Sequence, residues 1–495
     1  MAIYIKMFLA VMAVSGVCCS PFPAWANGVR EAMVKIYAIQ SKPDYANPWN
    51  MQGPTPLRGS GCIITGSRIL TNAHVVSDVT HIEVRRDGDA RKYEARVASV
   101  AHEVDLALLE VDDPRFFAGG RALEIGELPQ VQQDVLVYGF PYGGDTLSTT
   151  KGVISRIEHQ VYEHSYINFL AAQLDAAINP GSSGGPVIVG DKVVGVVMQM
   201  MDLAENIGYM VPTPVIKHFM TDLEDGRYDG FPLDGVLCQY MENDGIRRKY
   251  GLAKEQTGVL VYRIVPGTPA VGRVRVGDVI MAVDGHDIAN DGTVEIRPRE
   301  RTSMNYYTEM HQVGETLDLT VLRDGKVRKV ELLLDKPVGK NRLVPMEQYD
   351  IRPTYYIYGG FVFTPLTVNY LKTWGEAWQH NAPKNLVSAY LYDHLTEKDE
   401  QIVTLVRVLP DTVNKGYHDA GDFRVYEVNG KRVNNLKELI RTVEEGDGSR
   451  YISFTDKWGA KLVLDRREVA ETNDEILQKY RVPADRSLDL RNQKK

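Results

Sequence analysis

Cysteine is scarce in this chain, with four in 495 residues. Cys18 and Cys19 fall in a leader-like N-terminus, which leaves Cys62 and Cys238 to the rest of the chain. Two thiols exclude the disulfide framework of a small secreted domain, and by themselves they make no structural zinc site, so no metal or other cofactor is expected. Both are expected unpaired, because Cys62 lies in an apolar strand and Cys238 in a later segment of the chain. Positive charge is not in excess either. With 57 Lys and Arg against 65 Asp and Glu the net charge is -8, which leaves no basic stripe for a nucleic-acid partner. The N-terminal apolar run, Met7 to Val17, is shorter than the ~20 residues that span a bilayer.

What is present is ordinary in bulk and specific in detail. A hydrophobic share of 44% and a charged share of 25% fit soluble globular domains, and the length calls for three or four of them. Lys6 precedes the apolar run and Ala24-Trp25-Ala26 offers small residues to a signal peptidase, so residues 1–26 read as a cleaved signal rather than a retained anchor. Cys18 and Cys19 lack the small-residue context of a lipoprotein site. From residue 28 to 225, short apolar strands alternate with Gly, Pro, Asn and Asp, the pattern of an all-β double barrel. Residues 227–235 suit a linker. Beyond it, Val276-Gly277-Asp278-Val279-Ile280 with Asp284-Gly285 is echoed by Ala420-Gly421-Asp422-Phe423 with Asn429-Gly430. This internal repeat predicts two copies of one β-rich module, each turning on Asp-Gly or Asn-Gly. Tyr355 to Trp378 is rich in aromatics and is expected to pack the second module against its neighbours.

Nucleophilic peptide cleavage requires a serine beside a base, a carboxylate that fixes the base, and N–H groups aimed at an oxyanion. His74 stands in Leu70-Thr71-Asn72-Ala73-His74-Val75-Val76, and Asp105 opens Asp105-Leu106-Ala107-Leu108-Leu109. Alone, each reads equally as a structural residue. Ser183 sits in Asn179-Pro180-Gly181-Ser182-Ser183-Gly184-Gly185-Pro186, between apolar runs, which favours a rigid turn over a flexible linker. The order His, Asp, Ser is the chymotrypsin-type order.

These segments resemble the HtrA/Deg proteases. The likeness continues through Gly139-Phe140-Pro141, Gly152-Val153-Ile154-Ser155 and both repeats, and Tyr355 to Leu366 resembles the two-PDZ Deg proteases of plants and their bacterial relatives. The resemblance implies a mainly β fold, a chymotrypsin-like double β-barrel followed by two α+β PDZ-like domains. It implies that Ser183 is the nucleophile, His74 the base and Asp105 its orienter, with the N–H groups of Gly181 and Ser183 as the oxyanion hole. Ser182 departs from the Asn more usual in the family. Ile178, Val197, Met198 and Met200 are expected to wall an apolar substrate pocket without an acid. Gly258, Val259, Leu260 and Val261 are expected to form the peptide-binding loop of the first PDZ-like domain, taking C-terminal peptides by strand addition. Gln401-Ile402-Val403-Thr404 lacks the matching glycine.

The expected domains are 28–225, 236–336 and 345–470, with 471–495 as a C-terminal tail. The expected protein is an ATP-independent serine endopeptidase of unfolded or damaged exported proteins, periplasmic and built as a trimer-based homo-oligomer, with a hexamer as the leading form. A holdase or peptide-binding scaffold with a latent protease domain stands as the alternative.

Overall fold

The computed structural model describes residues 24–200 and 208–491. Most of the expected signal, residues 1–23, lies outside the described residues, and Ala24–Glu31 is a helix leading into the first strand. No helix among the described residues is long and apolar enough to cross a membrane.

Two seven-stranded antiparallel-dominated sheets make the first two lobes. In the first, Met33–Gln40 pairs on one side with Thr55–Ile64 and on the other with Val79–Arg86, and Arg68–Thr71 and Leu106–Glu110 follow. Met33 to Ala38 are buried without a break, so this central strand is covered on both faces. The second lobe winds Asp134–Gly139, Ser148–Val161, Asn168–Leu174, Gly208–Pro212 and Lys192–Met200 into a sheet that closes through Pro186–Val189, which pairs with strands at both ends. One continuous apolar core serves both lobes, so the cleft between them is held by packing as well as by chain connectivity.

The two repeats fold as expected into small β-rich modules. In the first, the sheet order is Val236–Gln239, Val259–Ile264, Val279–Val283, Thr316–Arg323 and Lys326–Leu333. Asp284-Gly285 and Asn429-Gly430 both turn with positive φ at both positions, as a type I′ hairpin requires. The second module does not stop at residue 470. The helix Arg466–Lys479 buries Val469 in one core of the module and Ile476 in the other, Val482 joins Ile476, and the Ile357 and Ser487 N–H groups donate to the Asp485 and Tyr355 carbonyls. The expected tail is therefore an integral part of the module, because its apolar residues have a core to enter.

The aromatic stretch is interior packing. Trp378 is completely buried, lies edge-on to Tyr390 at 5.3 Å, and meets Tyr166 of the second lobe at 6.5 Å. Cys62 and Cys238 are both free thiols, and burial pushes each up to about 12.

Candidate active site

The strand Arg68–Thr71 ends in a single helical turn, Ala73–Val76, whose partly exposed second residue is His74. Asn72, at the start of that turn, does not cap it. Its side-chain amide donates instead to the backbone carbonyl of Asp105 at 2.8 Å, tying the histidine turn to the aspartate loop. Asp105 is fully buried and left-handed, with φ +58, a conformation that a non-glycine residue holds only when its surroundings fix it. Its carboxylate receives three bonds from one residue. His74 Nδ1 lies 2.8 and 3.0 Å from the two oxygens, and the His74 backbone N–H donates at 3.0 Å. Burial opposes protonation of His74, but the charge of Asp105 and its hydrogen bond outweigh it and leave the imidazole pKa above its ordinary value.

The turn that carries Ser183 comes up to the histidine turn from the second lobe. Ser182 N–H donates to Asn179 at 2.9 Å, Gly185 N–H to Ser182 at 2.9 Å, and Gly184 N–H to Val197 at 3.1 Å, which fastens the turn to the strand behind it. Gly184 has φ +81, and a Cβ there would meet the Ser60 carbonyl at 2.2 Å and the Asn72 nitrogen at 3.1 Å. Only glycine allows the serine turn to approach the histidine turn so closely. The Ser60 N–H also donates to the Ser183 carbonyl at 2.9 Å. Among the described residues the Ser183 hydroxyl makes no hydrogen bond to His74 Nε2, a contact that commonly tightens only when substrate is bound.

Gly181 and Ser183 carry the two N–H groups expected to form an oxyanion hole. Among the described residues neither is given to a protein acceptor, whereas the intervening Ser182 N–H is used in the turn. Ser60 anchors the neighbouring Gly181–Ser182 peptide, its hydroxyl donating to the Gly181 carbonyl at 2.7 Å and accepting the Phe140 N–H at 2.8 Å. The Pro180–Gly181 peptide, which carries the Gly181 N–H, is held by the Tyr142 N–H on the Pro180 carbonyl at 2.8 Å. Ser60 escaped the sequence reading because its partners lie 80 and 121 residues away. His164 and Tyr162 escaped it for the same reason. The His164 ring lies parallel to His74, 4° between planes and 5.7 Å between centroids. The buried Tyr162 has a hydroxyl without a hydrogen-bond partner that faces the Asp105 charge, and burial followed by that charge raises its pKa well above the usual phenol value.

Other expected site residues are placed differently. Ile178, Val197 and Met198 are 6%, 0% and 2% exposed and belong to the core of the second lobe, so they pack the pocket's support rather than offer an open wall. The Met200 side chain lies outside the described residues. Gly258 to Val261 cannot take a peptide by strand addition, because Val259–Ile264 is already paired on both edges, with Val236–Gln239 and with Val279–Val283. With Lys326–Leu333 as the far edge of the sheet, the edge on this side is Val236–Gln239. It is preceded by Asp234-Gly235, with Gly235 at φ +83, and Asp234 itself accepts the Val236 N–H at 2.9 Å. Among the described residues no cluster of His, Cys, Asp or Glu is arranged to hold a metal ion.

Comparison with known proteins agrees with this architecture. A trypsin-like peptidase domain model matches residues 59–196, and two PDZ domain models match 239–334 and 344–489. Protease Do-like 4, mitochondrial, of Arabidopsis thaliana is 40% identical over 92% of this chain and 85% of its own length. Protease Do-like 2, chloroplastic, of the same plant is 37% identical over 93% of this chain and 75% of its own. Among solved structures, an HtrA-type protease AlgW with tripeptide superposes with a TM-score of 0.49 at 24% identity, covering 63% of this chain and 96% of that one.

Proposed function

Because the chain belongs to the Deg, or Do-like, family of serine proteases, we propose that it is an endopeptidase that cleaves unfolded or damaged exported proteins without ATP, with Ser183 as nucleophile. The observation that carries the proposal is the pair of unspent N–H groups at Gly181 and Ser183 beside a buried, triply bonded Asp105–His74 dyad. In the acylation step, Ser183 Oγ attacks the scissile carbonyl while His74 Nε2 takes its proton. Asp105 holds Nδ1 protonated and stabilises the imidazolium, and the tetrahedral oxyanion accepts from the two N–H groups. His74 then returns the proton to the leaving amine; in deacylation a water attacks the acyl carbonyl as His74 takes its proton, and that proton passes to Ser183 Oγ as the carboxylic acid product leaves.

The leader-like N-terminus supports export, with the periplasm as the proposed destination. In the first PDZ module, the open edge at Val236–Gln239 is the proposed peptide-docking strand. Unfolded casein incubated with wild type and with Ser183→Ala tests the central reading. Wild type is expected to degrade it and the variant to leave it intact. Equal degradation by both would remove the assignment, and intact casein in both, held soluble, would favour the holdase alternative.

A further inference from the structure

His164 belongs to a tight segment, Tyr162 to Tyr166, in which the Tyr166 N–H returns to the Tyr162 carbonyl at 2.8 Å and the Tyr162 N–H donates to Ile167 at 2.9 Å. The segment is fastened at both ends. Ser165 Oγ donates to the Glu103 carbonyl at 2.9 Å, two residues before Asp105, and Tyr166 meets Trp378 of the second PDZ module while Lys372 lies 5.8 Å over its ring. The ring of His164 thereby lies against both Tyr162, at 5.2 Å, and His74, at 5.7 Å with the two imidazole planes nearly parallel. On its other side lies a polar cavity of about 710 Å³ bounded by Tyr45, Asp78, Glu347, Tyr349 and Lys372.

We infer that His164 is a positioning residue for the general base, a neutral aromatic plate laid parallel to His74 that holds the imidazole in its catalytic orientation and faces the imidazolium as it forms. This rests on the proposed triad. A flat uncharged π face beside a developing cation attracts it, and the effect grows where water is excluded. Burial holds His164 neutral in the first place, and the neighbouring His74 charge and Lys372 act in the same direction, against a weaker opposing pull from Asp105 and Glu347. Tyr162 completes the arrangement by backing the Asp105 carboxylate, so one turn of the second lobe lies against both members of a dyad borne on the first. The benefit belongs to the transition state, since no charge has formed on His74 before the serine proton moves.

Steady-state kinetics on dye-labelled casein with wild type, His164→Ala, His164→Phe and Ser183→Ala in the full chain test it. His164→Ala is expected to lower kcat about tenfold with KM within about twofold, the size of a cation–π contact partly shielded from water. His164→Phe, which keeps a flat neutral ring, is expected to restore most of that kcat. A wild-type kcat in the alanine variant, or a phenylalanine variant as impaired as the alanine one, overturns the inference. So does an effect confined to KM. Failure of the triad itself is separately visible, because Ser183→Ala would then retain turnover.

Discussion

Asp105 is a carboxylate placed at zero exposure in a left-handed conformation, two unfavourable choices made at one residue. They are offset by carboxylate bonds from His74 and by the Asn72 amide on the Asp105 carbonyl, so the strained residue is tied to the turn that carries the base. The consequence is a raised pKa for His74. Catalysis needs the neutral imidazole, so the acid limb of kcat/KM is expected above the ordinary histidine value of ~6.5, with activity lost as pH falls through it. Asp105→Asn should shift that limb downward and cut kcat by about 10⁴, as a misplaced tautomer does in such triads. An unmoved limb would show that Asp105 does not set the base. Ser60 is the second residue whose loss is informative. Ser60→Ala removes a donor to Gly181 and an acceptor for Phe140 in a buried site, an expected cost of about 1–3 kcal/mol in stability by denaturant melting. Because the turn that carries the Gly181 and Ser183 N–H groups then loses an anchor between them, kcat should fall further than KM changes. At this scale the sequence displayed residues whose motifs are local, such as the glycines around Ser183. It hid those whose role comes from contact across the cleft, such as Ser60 and His164.

Among elements, the strand Val259–Ile264 shows how local patterning can mislead. Thr257-Gly258-Val259-Leu260-Val261 has the glycine and apolar run of an anion-catching loop, but strand order is a property of the whole sheet and puts this run in the middle. The actual edge, Val236–Gln239, alternates half-buried and exposed residues and carries the exposed Leu237. Its preceding loop contains Asp234, which takes the Val236 N–H that a peptide carboxylate would need and places a carboxyl group in the same space. Strand addition is therefore expected without carboxylate capture. An apolar-ended peptide and its C-terminally amidated twin, titrated against the full chain, should bind with equal affinity. Much tighter binding of the free acid would restore the anion-catching reading. The repeat itself was legible because Asp-Gly and Asn-Gly turns are written in adjacent residues. The tail was not, because the fate of 471–491 depends on a core built from residues more than a hundred positions earlier.

Across the whole molecule, the protease lobes and the two PDZ modules share their boundaries closely. The first module docks on the second lobe through His159, which bonds Thr302 at 2.7 Å and Glu309 at 3.1 Å, and through Arg297 on the Leu128 and Pro129 carbonyls. The second module meets the first lobe where Asp78 and Asp350 each accept the other's backbone N–H, at 2.7 and 2.8 Å, and where His102 stacks on Tyr349 at 4.3 Å. His102 is three residues from Asp105, so module contact and catalytic dyad are separated by a single turn of chain. These contacts bring both modules up to the lobes that carry the site, while the proposed chemistry rests on three residues from two lobes. Mapping the adduct of a serine-directed phosphonate by peptide mass spectrometry tests that chemistry most directly. The expected result is one adduct, on Ser183, formed by wild type and lost in His74→Ala. An adduct elsewhere, or labelling of Ser183 that is indifferent to His74, would contradict it.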